Sequence, residues 1–481
     1  LVIYQIHNVS KVLLCSINLI GTVLENSTFS SLNPATGKLI GTYQQHTDQQ
    51  VNKALLASDK AFQQWSQSSL QERAALLLAI AKAIRANVEV YAQLATAEMG
   101  KPIAQSRAEL EKCAKTMEFY AQEGPKMLAN ERVPTEAKKS FVSYQPLGVV
   151  LAIMPWNFPY WQVFRAMAPI LLSGNTMILK HAANVSGCAL AIEKILKKAA
   201  APKALFQSVL TSSENVAAII AAPQVSAVTF TGSTAAGRKV AAIAAQNLKK
   251  QVLELGGSDA YVVLEDADID LAVNTCFEAR FINSGQSCVA AKRFVVVKKV
   301  RKIFEEKMLT KIKAASFGDP TDTRNAIGPM ARLDLRNELH NQVLKTLDQG
   351  AQLLCGGYIP EGLGAYYPPT LLSKVKKGMA AYSEELFGPV AVIIEAKDEK
   401  EAIKIANDTE FGLGSAIFSK NRKHAETIAQ QLIQAGNCFI NAAVHSDPRL
   451  PFGGIKNSGY GRELSVFALR EFVNIKTIVV Q

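Results

Sequence analysis

The stretch Val149-Val150-Leu151-Ala152-Ile153-Met154-Pro155-Trp156-Asn157-Phe158-Pro159 decides how this chain folds. Its β-prone residues, Val149 to Ile153, run without a polar interruption and then stop at a proline-flanked loop. An apolar run of that length, bounded by turn signals, reads as a strand buried on both faces. Outward from it the sequence alternates. Helices are expected over 160–172, 185–199, 214–221 and 234–246, with strands over 176–179, 205–210, 227–230 and 251–255. Repeated strand–helix units of this length predict an α/β fold, a mostly parallel sheet with helices on both faces. Ligands of such sheets bind beyond the carboxyl ends of the strands. Pro155-Trp156-Asn157, Lys180, Thr231-Gly232-Ser233 and Glu254 all fall there.

Upstream, Asn33-Pro34-Ala35-Thr36-Gly37 reads as a turn, and helices follow over 54–65, 70–99 and 103–122. Polar and β-prone residues mix between 126 and 144, as in an extended hairpin or arm. Downstream, a second α/β unit runs from about 258 to 440. The tail ends in the β-prone run Ile475 to Val480, an edge strand suited to pairing with another subunit. The first 25 residues are apolar between Val12 and Leu24. They lack a basic leader and small-residue cleavage site, and they fall short of the roughly 20 apolar residues of a membrane span. An irregular segment ahead of the domains is expected there.

A chain of 481 residues exceeds one ordinary core and implies two or three domains. With 48% hydrophobic and 20% charged residues it is globular in composition, with no membrane partner expected. The net charge of +12 is spread over short pairs such as Lys197-Lys198 and Lys249-Lys250, without a basic run interleaved with aromatics. That pattern argues against nucleic acid and leaves a field able to steer small anions. Seven cysteines, odd in number and without a CxxC, argue against a disulfide framework and for a reducing cytoplasm. The six histidines lie far apart, and no metal site is expected.

Chemistry concentrates in Asn283-Ser284-Gly285-Gln286-Ser287-Cys288 and, 34 residues upstream, in Glu254-Leu255-Gly256-Gly257. A thiolate attacks a carbonyl, and a carboxylate activates the water that later releases the product. The Asn157 amide supplies a donor able to hold an oxyanion. Taken singly, a cysteine is more often a small buried hydrophobe, and a Glu-Leu-Gly-Gly run can simply end a strand.

Together these segments resemble the aldehyde dehydrogenase superfamily. The likeness runs in order through Pro155 to Pro159, Lys180, Phe230-Thr231-Gly232-Ser233 with Gly237, Glu254 to Gly257, Gly285 to Cys288, Glu385-Leu386-Phe387-Gly388-Pro389, and Pro451-Phe452-Gly453-Gly454 with Lys456, Ser458 and Gly459. It implies a Rossmann-type cofactor domain over 26–122 and 145–253, a catalytic α/β domain over 254–445, and a small β oligomerisation arm over 123–144 and 462–481. It also implies a homodimer or homotetramer. By resemblance Cys288 is the nucleophile, Glu254 the hydrolytic base and Asn157 the oxyanion donor, beside the Cys288 N–H. Pro155, Trp156, Lys180, Ala183, Gly232, Ser233, Gly237, Leu255, Glu385 and Phe387 are then the residues toward the dinucleotide. The spacing of Gly232 and Gly237 departs from G-x-G-x-x-G and follows the superfamily's own variant. Members that prefer NAD commonly carry a glutamate where Ala183 stands. Its absence, with Lys180 nearby, implies that NADP is accepted and preferred, with NAD as the second choice.

Ser446 to Lys456 and Trp161 to Arg165 resemble the succinate-semialdehyde dehydrogenase branch most. There an arginine six residues after Pro159, here Arg165, meets the substrate carboxylate, a task suited to a guanidinium fork. Ser446 and Arg449 are expected as further contacts. An arginine that some members carry just ahead of the Asn-x-Gly-Gln run is absent: Ile282 stands there, with Arg280 two residues back. Ala290 replaces the occasional second cysteine, which argues against a disulfide switch in that loop. His181 is expected to pack locally. The alternative activity is oxidation of uncharged or aromatic aldehydes. A CoA-acylating relative is disfavoured by Glu254, and a fold retained without catalysis is disfavoured by the presence of Cys288, Glu254 and Asn157 together.

Overall fold

The computed structural model describes residues 28–481, and in it Val149–Met154 is an inner strand of a six-stranded sheet. The order is Gly459–Tyr460, Lys250–Glu254, Val225–Thr231, Val149–Met154, Thr176–His181, Phe206–Ser208. All neighbours run parallel except Gly459–Tyr460, which returns antiparallel beside Lys250–Glu254. Every residue of Val149–Met154 is buried, because helices cover both faces of the sheet. The chain first steps outward from it through Thr176–His181 to Phe206–Ser208. It then jumps back to Val225–Thr231 on the other side. This reversal opens a crevice beyond the carboxyl ends of Val149–Met154 and Val225–Thr231, the usual ligand position in open α/β sheets.

A second, seven-stranded sheet has the order Gln352–Cys355, Thr370–Ser373, Val390–Ala396, Ala291–Val297, Asp259–Val263, Gly414–Phe418, Asn437–Ile440. Only its first pair is antiparallel. Cys288 lies three residues before Ala291–Val297, at that strand's amino end. The loop bearing the thiol therefore comes from the second sheet, whereas Glu254 ends a strand of the first. A three-stranded antiparallel sheet of Val473–Val480, Lys139–Pro146 and Glu131–Arg132 completes the molecule, with Val473–Val480 on its edge.

Two expectations change. The helix expected over 70–99 is two, Leu70–Arg85 and Val88–Met99. Asn87 between them has φ −138°, outside the helical range, while Ser69 and Glu72 cap the first helix reciprocally. The helix expected to end at 122 continues as Ile103–Met127, with Pro125 in its last turn. A proline there cannot donate to the Ala121 carbonyl, and the helix stops two residues beyond it. The apolar run 12–24 lies outside the described residues. Among those described, no helix is long and apolar enough to cross a membrane.

Candidate active site

The nucleophile loop is held in an uncommon backbone shape. Asn283, Ser284 and Gly285 all have positive φ, at 55°, 53° and 75°. For the two that are not glycine this costs about 1–3 kcal/mol each, so the surroundings must over-determine it. They do. Asn283 Nδ2 donates to the carbonyls of Asn157 (2.7 Å) and Gln286 (2.9 Å). Ser284 Oγ accepts the Gly328 N–H at 3.0 Å, and Gln286 Oε1 accepts the Ala331 N–H at 2.9 Å. The fully buried Arg280 guanidinium donates to the carbonyls of Gly285 (3.0 Å), Leu386 (3.2 Å) and Gly388. At Gly285 a Cβ would strike the Gly388 carbonyl, so the loop and the Glu385–Gly388 segment approach closely only because no side chain intervenes.

The Cys288 thiol sits where two cavities meet, of about 290 and about 350 Å³. Burial pushes it up to about 11, opposed by the Lys292 and Arg165 cations. Lys292 is buried four residues on. Its ammonium donates to the carbonyls of Ser287 (2.8 Å) and Cys288 (2.6 Å), pairs with Glu385 at 2.9 Å and lies over the Phe387 ring. One cation thus ties the nucleophile loop to the wall of the first cavity.

That first cavity is the topological crevice. Pro155, Trp156, Asn157, Gly232, Ser233, Leu255, Glu385 and Phe387 line it, with Cys288 at its inner end. Trp156 and Phe387 meet edge to face at 5.8 Å. Asn157 Nδ2 donates to the Gln286 carbonyl at 3.1 Å, leaving one amide hydrogen of this cavity-lining side chain free. Ser233 caps the Thr234–Gln246 helix, whose start faces the cavity. At Gly237, on that helix, a Cβ would run into Leu255. An aromatic wall, a carboxylate and a glycine-lined helix start fit a flat ring, sugar hydroxyls and phosphates in turn. Lys180 and Ala183 lie one strand over, at the end of Thr176–His181, and with Gly237 they stand outside the cavity lining. The buried His181 is pushed down to about 4 by desolvation. It accepts the Ala182 N–H through Nδ1 and donates from Nε2 to the Pro159 carbonyl, bracing the Pro155–Pro159 loop.

Glu254 is 3% exposed, and neither carboxylate oxygen has a hydrogen-bond partner among the described residues. Burial first, and the neighbouring Glu463 second, hold its carboxyl well above the usual carboxylate range, with Arg165 and Arg462 opposing. Glu463 is itself buried and ion-paired with Arg165. The raised pKa makes this carboxylate, once ionised, a stronger proton acceptor than an exposed one.

The second cavity is lined by Lys112, Phe158, Trp161, Arg165, Ser446 and Phe452, among others, again with Cys288. Its shape starts from Glu109 on the Ile103–Met127 helix. One Glu109 oxygen accepts the Tyr160 and Trp161 N–H groups at 2.8 Å each, and the other pairs with the fully buried Lys101. The start of the Trp161–Leu172 helix is thereby fixed against that face. Arg165 reaches the cavity with its guanidinium already paired to Glu463, so a substrate carboxylate there would share it. Ser446 Oγ accepts from Lys112 Nζ at 2.7 Å. Arg449 is exposed, held by Asp447 at 2.6 and 2.9 Å, and stands outside the lining.

The structure thus gathers Cys288, Asn157, Trp156, Pro155, Gly232, Ser233, Leu255, Glu385 and Phe387 around one cavity, and Arg165 and Ser446 around the other. Sequence reasoning missed Lys112, Lys292, Glu463 and the stapling role of Arg280. Lys112 alone had a signal, since Gln105, Ala108, Glu109 and Lys112 share one helical face. Among the described residues no group of three or more His, Cys, Asp or Glu is placed to hold a metal ion.

Comparison with known proteins gives the following. The family model described as "Aldehyde dehydrogenase family" matches residues 23–478. A succinate semialdehyde dehydrogenase [NAD(P)+] of Escherichia coli (strain K12) is 47% identical over 448 residues, covering 93% of this chain and 97% of the relative. A probable succinate-semialdehyde dehydrogenase [NADP(+)] of Synechocystis is 44% identical over 449 residues, 93% of this chain and 99% of the relative. The crystal structure of succinic semialdehyde dehydrogenase from Streptococcus pyogenes, in complex with NADP+, superposes with a TM-score of 0.92 at 36% identity. It covers 94% of this chain and 99% of that one.

Proposed function

This chain belongs to the aldehyde dehydrogenase family, and on that premise we propose that it oxidises succinate semialdehyde to succinate, with NADP preferred over NAD. The observation that carries the reading is one thiol shared by two cavities, one suited to a dinucleotide and one to a short aldehyde. Relatives bearing the succinate-semialdehyde name and NADP+ cover nearly all of the chain and support both choices.

In the mechanism we infer, Cys288 gives its proton to water beside the Lys292 and Arg165 cations, and sulfur bonds to the aldehyde carbon while the carbonyl π electrons move to oxygen. The free Asn157 amide hydrogen and the Cys288 N–H hold that oxygen. A nicotinamide held in the first cavity beside Trp156 and Phe387 would supply the acceptor for the hydride that leaves the aldehyde carbon. Cys288 is then left as a thioester. Glu254 takes a proton from water, the oxygen adds to the thioester carbon, and the carbon–sulfur bond breaks to release the acid and the thiolate. Lys292 keeps the sulfur at the boundary of the two cavities by holding the carbonyls on either side of it. Lys180 and Ala183, without a carboxylate between them, leave room for a 2′-phosphate.

A second reading, oxidation of uncharged or aromatic aldehydes, draws on the rings of Phe158, Trp161 and Phe452 in the second cavity. One assay separates the two. Reduced-nicotinamide absorbance with succinate semialdehyde and with butanal, each with NADP and NAD, is expected to favour the first aldehyde and NADP. Equal kcat/KM for the two aldehydes would favour the broad reading.

We also propose a homodimer or homotetramer assembled through the Val473–Val480 edge, where Ile475, Val479 and Val480 are about half exposed. Mass photometry showing only monomer at micromolar concentration would contradict it. The described cysteines are all free, which supports a cytoplasmic location.

A further inference from the structure

Two cations line the second cavity, and they differ in one respect. Arg165 is neutralised by Glu463, both groups being 2% exposed or less. Among the described residues Lys112 has only neutral partners: its ammonium donates to Ser446 Oγ at 2.7 Å and lies 4.2 Å from the centre of the Trp161 ring. The nearby carboxylates are otherwise engaged. Glu109 is held by Lys101 and by two backbone N–H groups, and Asp447 by Arg449. Glu278 lines the cavity from an exposed position on the Ile269–Phe281 helix. Among the described residues that line this cavity, Lys112 is therefore the cation without an ion-pair partner.

We propose that Lys112, steadied by Trp161 and Ser446, is the specificity residue that grips the distal carboxylate of the substrate, while Arg165 is committed to Glu463. The inference rests on the succinate-semialdehyde reading and names a residue for it. A desolvated ammonium facing an aromatic plate and one hydroxyl retains a donor for a carboxylate, and the partly buried pair is worth more than a surface one. Burial and the Arg165 charge push Lys112 down to about 8, as befits a cation short of a counter-charge. The hydroxyl of Ser446 then serves twice, orienting the ammonium and offering its own hydrogen to the same carboxylate.

The test compares Lys112→Met and Lys112→Arg with the natural protein, using succinate semialdehyde and butanal at saturating NADP. The quantity read is the ratio of kcat/KM for the two aldehydes. Lys112→Met is expected to lower that ratio by about tenfold or more, mainly through KM for succinate semialdehyde, and Lys112→Arg to restore most of it. Melting temperature and quenching of tryptophan emission by NADPH check that each variant is folded. A natural protein with no preference for succinate semialdehyde sinks the functional reading itself. A natural protein that prefers it, with Lys112→Met keeping the same ratio, sinks only the role given to Lys112.

Discussion

The two cavities that meet at Cys288 are built by different means. The first is walled by short contiguous motifs at strand ends, by backbone that comes close because glycines permit it, and by one face of the Leu333–Asp348 helix. The second is walled by side chains that three helices and a closing loop bring together from residues over 300 apart in sequence, as Lys112 and Ser446 are. Chemistry common to many aldehydes belongs to the first wall and the thiol, and choice among aldehydes belongs to the second. Substitutions at the shared thiol and at the first wall should therefore damage every substrate alike. Changes in the second should alter ratios.

The largest effect is expected at the shared atom. Cys288→Ser should lower kcat/KM by on the order of 10³-fold or more with both succinate semialdehyde and butanal. Selective loss with one aldehyde would break the comparison. Glu254→Gln should lower steady-state turnover by about 10²–10⁴-fold. Because release rather than addition is then slowest, a first turnover of reduced cofactor should appear before the stall, and stopped-flow absorbance reads it. Asn157→Ala should cost about 10²–10³-fold in kcat, again regardless of aldehyde.

Smaller effects sharpen the contrast. Lys112 is cationic below about 8 and loses its charge above it. The KM for succinate semialdehyde should therefore rise as pH climbs through that value, somewhat later in the complex because a bound carboxylate favours the ammonium. Butanal should show no such rise, and Lys112→Arg should remove it. Cys288 is held up at about 11, so kcat/KM for butanal should instead increase toward alkaline pH. The smallest predicted change concerns the nucleotide: Ala183→Glu should lower the NADP-to-NAD ratio of kcat/KM by about tenfold, by setting a carboxylate against the 2′-phosphate.

The same contrast explains what the sequence could convey. The run at Val149 and the strand–helix alternation after it placed Pro155-Trp156-Asn157, Gly232-Ser233 and Glu254 at strand ends, since period and turn chemistry are local. Glu385 and Phe387 were legible through the motif around them. Lys112 sits in the middle of a helix with no motif, and its meaning comes from Ser446 and Trp161, which only the packing brings near. Arg165 was legible as a cation near substrate, but its pairing with Glu463, 298 residues later, is a tertiary fact. The positive φ at Asn283 and Ser284 is equally silent in sequence, because those residue types suit many turns.

The most direct test of the central claim uses Glu254→Gln, mixed briefly with succinate semialdehyde and NADP, quenched in acid and weighed as intact protein. The account predicts a mass gain of one succinyl group per chain, mapping after digestion to the peptide that contains Cys288. Turnover by the natural protein with no such adduct in the variant, or an adduct on another residue, would contradict it.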